Sequence, residues 1–458
     1  MTRELPRIMV AAPGSGCGKT TVAIGLLRAL SRRGFAPAAF KCGPDYIDPL
    51  FHRRALGVGG GNLDLWFSDE ESARSLLLRG SEGCDMALLE GAMGYYDGVA
   101  GRGAEGSSWH VASATRTPAL LVLDARGASL SLAALVAGFQ SFRDPSLIEG
   151  AVLNGTSERA FERAARAIEE ETGVSVVGWL PRDARFAFES RHLGLVAAGE
   201  VEGFEEKVEL IAETVEETFD LERILEIARS APSLGGEPYR SGRVAPEGGV
   251  RLAVARDAAF SFLYEENLRM LEDMGARPVF FSPIEDGALP EGVDGLLLPG
   301  GYPELHGEKL EGNVSMRRSV REAVEGGLPT LAECGGFLYL QESLVDSEGV
   351  ARRMVGALPG EGFRKETLGH FGYVELAPAG DTAFLHPGES VRAHEFHWWG
   401  SSEEGSAMTA RKPSGQSWPC MVATPTLLAG FPHVYYPAEP DVARRFVEAT
   451  VAHEEARS

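Results

Sequence analysis

Positive charge is scarce in this chain: 44 lysines and arginines stand against 66 aspartates and glutamates, a formal net charge of −22. A nucleic acid or an anionic membrane surface selects for a basic face, so neither is expected as a partner. Cysteine is sparse as well. Cys17, Cys42, Cys84, Cys334 and Cys420 are odd in number, widely scattered and never spaced C-x-x-C. That excludes a disulfide framework and a paired-cysteine metal site, and leaves room for one reactive thiol. Uninterrupted apolar runs long enough to cross a bilayer are missing, and Met1-Thr2-Arg3-Glu4-Leu5-Pro6 enters the first apolar run without a signal-peptide pattern. A cytoplasmic protein is expected. No fixed-period repeat occurs, and no low-complexity tail beyond the charged end His453 to Ser458.

What is present is length and alternation. At 458 residues the chain exceeds one typical core and suits two or three domains. Up to about residue 200, the apolar runs Ile8–Ala12, Ala36–Phe40, Met86–Leu89, Ala119–Leu123, Gly150–Leu153 and Ser175–Gly178 alternate with helix-like segments, the pattern of a doubly wound parallel sheet. Residues 203–229 keep helical period, and 230–249 are rich in turn formers. From Arg251 the alternation restarts, through a helix near Tyr264–Met274, strands at Pro278–Phe281 and Gly295–Leu298, a helix around Met316–Glu325 and a strand at Pro329–Glu333. The expected organisation is a first α/β domain over 1–229, a linker over 230–249 and a second α/β domain over 250–458.

In the first domain, Gly14-Ser15-Gly16-Cys17-Gly18-Lys19-Thr20-Thr21 joins a strand to a helix. A glycine-rich turn there aims backbone N–H groups at an anion, Lys19 reaches the outer phosphates of a nucleotide such as ATP, and the Thr20 hydroxyl suits Mg²⁺. Gly14, Gly16, Gly18, Lys19, Thr20 and Thr21 are therefore the candidate nucleotide ligands. The usual pattern has glycine five positions before Gly18; Pro13 stands there, which makes this a variant loop. Glu90 ends the strand Met86–Leu89 at the sheet's carboxyl edge, where ligands of such sheets bind, and is the first choice for a Mg²⁺ ligand, a capped helix or solvated strand end being its alternative. Asp45 and Asp48, in Lys41-Cys42-Gly43-Pro44-Asp45-Tyr46-Ile47-Asp48-Pro49, can hold the cation or an incoming group, or serve only as turn formers; Asp64 in Gly61-Asn62-Leu63-Asp64 shares that ambiguity. Asp124 is a site or a cap. Asn154, closing Ala151–Leu153, can read a base edge through its amide, with Arg182 and Asp183 beside it.

In the second domain, Pro329-Thr330-Leu331-Ala332-Glu333-Cys334-Gly335-Gly336-Phe337-Leu338 reads as a strand, a tight turn bearing cysteine, and a helix: a nucleophile elbow in thiol form. The helix dipole is expected to favour the thiolate, and the N–H of Gly335 to serve an oxyanion. The Gly300-Gly301 turn after Leu296–Leu298 is the candidate for the other oxyanion donor. His433 is the candidate base; His394 and His397, with Glu395 between them, are either a metal pair or structural residues of a strand.

The combination resembles the cobyrinate a,c-diamide synthase family over nearly the full chain, through Ala12-Pro13-Gly14-Ser15-Gly16-Cys17-Gly18-Lys19-Thr20-Thr21, Lys41–Pro49, Asn62-Leu63-Asp64, Glu90-Gly91-Ala92-Met93-Gly94, Arg191-His192-Leu193-Gly194-Leu195, Glu333-Cys334-Gly335-Gly336 and His394-Glu395-Phe396-His397. The resemblance implies a dethiobiotin-synthetase-like ATPase domain with a phosphate loop that lacks the glycine replaced by Pro13, a class I glutamine amidotransferase-like domain, ATP and Mg²⁺. It implies two successive amidations of the a and c side-chain carboxylates of cobyrinate through an acyl phosphate, with glutamine or ammonia as nitrogen donor and an interdomain path for the ammonia. Metal-free hydrogenobyrinate and nickel-sirohydrochlorin are alternative substrates, and an oligomer is compatible with this reading. Ordinary class I glutaminases carry a Glu two residues after the catalytic His. Tyr435 stands there, so a Cys334–His433 dyad is expected, with the group that orients His433 left open. A partitioning ATPase of the ParA or MinD type is disfavoured, because Gly14 occupies the position of its extra lysine and it has no use for a thiol elbow. A regulatory protein with an inert glutaminase fold is disfavoured by Cys334.

Overall fold

The computed structural model describes residues 2–46, 49, 52–53, 57, 59–99, 103–186 and 203–457; Asp48 and the Arg191–Leu195 segment lie outside them. The chain divides into two compact units, Met1–Tyr239 and Arg240–Ser458. No described helix is long and apolar enough to cross a membrane.

The first unit is built on seven parallel strands: β1 (Arg7–Ala11), β2 (Pro37–Cys42), β3 (Gly60–Leu63), β4 (Met86–Glu90), β5 (Ala119–Asp124), β6 (Ile148–Thr156) and β7 (Ser175–Pro181), in the order β3-β2-β4-β1-β5-β6-β7. Every residue of β1, β2 and β4 is buried, which is why these strands read as continuous apolar runs rather than as alternation. β1 lies between β4 and β5, so its carboxyl end opens where the chain changes direction across the sheet. β3 was not anticipated. Its sequence Gly-Gly-Asn-Leu has no β-branched or aromatic residue, and its glycine is imposed by packing: a Cβ on Gly60 would fall 1.5 Å from the Ala39 carbonyl oxygen.

Helix α1 (Lys19–Arg32) covers one face with α2 (Phe204–Thr218) and α3 (Leu221–Arg229), and Ile8, Val10, Val22, Leu26, Leu120, Val152, Ile211 and Val215 join in one buried cluster. Gly25 lets α1 and α2 approach closely, since a Cβ there would meet Ile211 and Val215 methyls at 2.7 and 2.8 Å. The helical period over 203–229 is in fact two helices. The break at Phe219-Asp220 has two causes: Asp220 caps α3 by accepting the Arg223 N–H at 2.9 Å, and the Phe219 ring fills the space over Gly178. Residues 230–249, expected as a linker, pack at both ends. Leu234–Gly235 pairs with Thr2–Arg3 and buried Arg7 donates to the Pro232 carbonyl at 2.8 Å, whereas the N–H groups of Val244 and Ala245 donate to the Met274 carbonyl.

The second unit holds a six-stranded sheet in the order Ala276–Phe281, Val250–Ala255, Gly295–Leu298, β8 (Thr330–Glu333), Leu427–Gly430 and Val422–Ala423, parallel except for its last strand. The sequence reading did not foresee the two smaller sheets that follow β8. One is four-stranded; the other is five-stranded and antiparallel, with β9 (Val391–Glu395) beside β10 (His433–Val434) at its edge. Their strands are short, with turns of varied length, and carry little periodic signal.

Leu120 is fully buried at the centre of the first sheet. Leu120→Ala should therefore cost the first unit about 2–5 kcal/mol, read as a lowered urea midpoint; a loss below about 1 kcal/mol would contradict this packing.

Candidate active sites in the two units

The phosphate loop is shaped by backbone requirements. Gly16 and Gly18 have φ of 78° and 97°, the left-handed region that favours glycine. Gly18 is under a second constraint, because a Cβ would lie 2.3 Å from Asn154 Nδ2. That Asn154 nitrogen donates to the Cys17 carbonyl at 2.9 Å and braces the loop from β6. No side chain caps α1, so the N–H groups of its first turn, at Lys19, Thr20 and Thr21, are not spent on a cap. Lys19 Nζ spans the loop mouth, donating to the carbonyls of Gly14 at 2.9 Å and Met93 at 2.5 Å.

Glu90 is fully buried at the end of β4. It accepts from the Thr20 hydroxyl at 2.6 Å and from Lys41 Nζ at 3.0 Å, and lies 2.7 Å from His52 Nε2. Thr20 and Glu90, both chosen from sequence, are thus in contact, and their oxygens form a donor set suited to a hard divalent cation. Lys41 and His52 are additions. Lys41 ends a buried strand and is itself buried, and a charge in that position is the signal that points to it. A buried carboxylate needs such partners, since desolvation costs several kcal/mol per ion.

The remaining candidates divide. Asp64 is buried and its Oδ1 accepts the N–H groups of Trp66 and Phe67 at 2.7 and 3.2 Å, the work of a turn former. Asp45 is tied to β3 through its carbonyl, which takes a hydrogen bond from Asn62 at 2.8 Å. Asp124 is paired with Arg126 at 2.6 Å, which holds its carboxyl below the usual range. Past the carboxyl ends of β5 to β7, Arg126, Ser157, Trp179 and Arg182 help line an open cleft of ≈ 700 Å³.

In the second unit, Cys334 sits between β8 and helix α4 (Gly335–Leu340) with φ 47°, a strained position for a residue with a side chain and the conformation of a nucleophile elbow. Neighbouring glycines permit it: a Cβ on Gly336 would fall 2.1 Å from the Leu298 carbonyl oxygen, and one on Gly335 2.9 Å from the Gly301 nitrogen. The Gly301 nitrogen is accordingly close to Gly335, whose own N–H acts on the Cys334 thiol. The helix dipole, however, does not prevail at Cys334. Burial, with Glu304 next in weight, pushes its thiol well above the usual range against the lowering effect of the Gly335 N–H.

His433, the candidate base, borders Gly300. A Cβ on Gly300 would meet His433 Cε1 at 2.4 Å, His433 Nε2 at 3.2 Å and Cys334 Cβ at 3.4 Å, so the ring and the Cys334 Cβ both border the space over this glycine. The other ring nitrogen, Nδ1, is 3.3 Å from the Glu333 carboxylate. His394 faces His433 across β9 and β10, and burial, with His433 next, lowers its pKa to about 3. His397 is structural: it bonds Glu395 at 2.9 Å and the Trp399 carbonyl, and stacks on Phe431 at 3.9 Å. Among the described residues no cluster of three His, Cys, Asp or Glu is arranged to hold a metal.

The raised Cys334 pKa has a direct consequence. At pH 8, alkylation of Cys334 by iodoacetamide, followed by peptide mass spectrometry, should run at least about tenfold slower than for a model thiol and should climb toward pH 10. Reactivity equal to that of the model thiol would contradict the burial.

Known proteins match both units. Residues 8–196 match the CobQ/CobB/MinD/ParA nucleotide binding domain, and residues 251–419 the CobB/CobQ-like glutamine amidotransferase domain. A chain of PurLQS from Thermotoga maritima superposes with a TM-score of 0.31 at 15% identity, covering 44% of this chain and 98% of its own. Cobyrinate a,c-diamide synthase of Listeria innocua is 41% identical over 85% of this chain and 86% of its own. The enzyme of the same name from Dehalococcoides mccartyi is 37% identical over 98% of both chains. With similarity of that extent running through phosphate loop and thiol elbow alike, the chain belongs to the cobyrinate a,c-diamide synthase family.

Proposed function

We propose that this protein is an ATP-dependent ligase that amidates the a and c side-chain carboxylates of cobyrinate with nitrogen taken from glutamine, in the cytoplasm. The observation that carries the reading is the occurrence in one chain of the Thr20–Glu90 contact beneath a phosphate loop and of a strained, buried Cys334 beside His433.

A carboxylate is a poor electrophile. In the first unit a carboxylate oxygen of the substrate attacks the γ-phosphorus of ATP and ADP leaves, giving an acyl phosphate. Lys19 and the α1 N–H groups offset charge on the phosphoryl oxygens. Thr20 and Glu90 are the residues that would hold Mg²⁺, which when bound shields phosphate charge; Asp48 is a further proposed ligand. Ammonia then attacks the acyl carbon and phosphate departs. The cleft beyond β5 to β7 suits the nucleoside; Asn154, which precedes the cleft-lining Gly155, is assigned to the base, and Asp45 and Asp64 to the substrate side of the loop.

In the second unit Cys334 Sγ attacks the glutamine carboxamide as His433 takes the thiol proton and returns it to the leaving nitrogen, releasing ammonia. The oxyanion is assigned to the N–H groups of Gly301 and Gly335, each such donor worth roughly 3 kcal/mol, with Gly300 leaving space for the ring. Water, deprotonated by His433, hydrolyses the thioester to glutamate.

Two variants separate the half-reactions. Cys334→Ala should abolish glutamine-driven product and leave ammonia-driven product intact, whereas Lys19→Ala should lower both by at least about 10²-fold. Equal loss of both activities in Cys334→Ala would refute the assignment. The substrate is tested by mass spectrometry after incubation with ATP, Mg²⁺, glutamine and cobyrinate, hydrogenobyrinate or nickel-sirohydrochlorin in turn. A double carboxylate-to-amide mass change with cobyrinate is expected; a change with only one of the others would overturn cobyrinate as substrate.

A further inference from the structure

We propose that Glu333 is the positioning residue of the glutamine-hydrolysing site, supplying from the strand before the nucleophile the carboxylate that orients His433. This rests on the reading of Cys334 and His433 as nucleophile and base.

The position that ordinarily supplies such a carboxylate is closed. Tyr435, two residues after His433, is fully buried and packs edge-on against Tyr264, with ring centroids 5.0 Å apart. Glu333 approaches the ring from elsewhere. Its Oε2 lies 3.3 Å from His433 Nδ1, and its Oε1 accepts the Val434 N–H at 3.1 Å. One carboxylate thus touches the base and the backbone of the next residue, so it cannot rotate away from the ring without giving up a buried hydrogen bond. Both side chains are sealed from solvent, Glu333 at 5% exposure and His433 at 1%.

Backbone pairing fixes the approach. Glu333 is in register with Gly430, whose carbonyl also accepts the Cys334 N–H at 2.7 Å. The chain then turns through Phe431-Pro432 and brings His433 back over the end of β8. Nδ1 faces Glu333 and Nε2 borders the space over Gly300 that Cys334 Cβ also borders, so a proton held on Nδ1 by the carboxylate would leave the Nε2 lone pair free on that side. A carboxylate in this place selects the productive tautomer and stabilises the imidazolium that forms when the thiol proton is taken. His394, the register partner of His433, contributes no charge because burial keeps it neutral.

The test compares Glu333→Gln, Glu333→Asp and Cys334→Ala in the full-length enzyme, measuring glutamine hydrolysis and ammonia-driven amidation side by side. Glu333→Gln should lower kcat for glutamine hydrolysis at least about tenfold, with KM for glutamine within about twofold and ammonia-driven amidation unchanged. Glu333→Asp, which keeps the charge, should recover part of that kcat. An unchanged kcat in Glu333→Gln overturns the proposal. So does a loss shared equally by ammonia-driven amidation, since that marks a residue of the scaffold. Retention of glutamine hydrolysis by Cys334→Ala would instead bring down the underlying assignment of nucleophile and base, an outcome separate from the other two.

Discussion

A carboxylate buried at the end of a central parallel strand has to be met by donors or positive charge, and this chain meets that demand twice. Glu90 ends β4 and collects the hydroxyl of Thr20, the ammonium of Lys41 and the ring of His52. Glu333 ends β8 and collects the ring of His433 and the N–H of Val434. Neither carboxylate would be tolerated there alone, because the desolvation of an ion exceeds anything the neighbouring apolar contacts return. The partners come from positions far apart in the chain, so satisfying one buried charge brings together loops that local sequence leaves independent. In both units the functional groups sit at the carboxyl ends of strands, where diverging loops leave room for a ligand.

The thiol elbow shows which electrostatic influence prevails when two compete. A helix N-terminus lowers a thiol pKa, and the Gly335 N–H acts in that direction. Burial acts against it and is larger, and the carboxylates of Glu304, Glu395 and Glu333 add to burial. Cys420 and Cys42, also buried, are pushed up to about 12 by the same cause. What separates Cys334 from these is its strained backbone and its neighbours: a φ of 47° points its side chain out of the strand–helix turn toward Gly300 and His433. Cys334 is therefore distinguished from the other buried thiols by its geometry.

Much of this was legible in the sequence because it rests on local rules. Continuous apolar runs gave the buried parallel strands, and Gly18-Lys19-Thr20 and Glu333-Cys334-Gly335-Gly336 carried their turn chemistry in their own residues. Glu90 was legible as the polar residue ending an apolar run. What escaped depends on contacts across the chain. β3 is a strand because a neighbouring carbonyl leaves no space for a Cβ at Gly60, which no propensity records. The helix break at Phe219-Asp220 is dictated by Gly178, a residue on a different strand. Lys41 and His52 were visible as residues but not as partners of Glu90, and the hydrogen bond by which Asn154 braces the phosphate loop was not foreseen.

Tyr435 stands where an ordinary class I glutaminase carries a carboxylate, and the way this unit holds His433 bears on that difference. His433 belongs to β10, a strand of two residues that pairs with β9, so its backbone is fixed by register: Val434 against Ala393 and His433 against His394. Asn267 secures the following turn, donating to the Val434 carbonyl and accepting the Tyr436 N–H, both at 2.8 Å. The chain beyond His433 is thereby drawn into an apolar interior where Tyr435 packs on Tyr264 and Tyr436 is equally buried. A carboxylate at 435 would be taken out of water and would displace that aromatic contact, a loss of several kcal/mol. Glu333 escapes this penalty because the Val434 N–H and the His433 ring already face it. With Glu333 as the positioning carboxylate proposed above, the group beside the His433 ring and the thiol of Cys334 come from adjacent residues of one strand end. The price is that position 333 is bound at once to the register of β8, the turn at Cys334 and the orientation of His433.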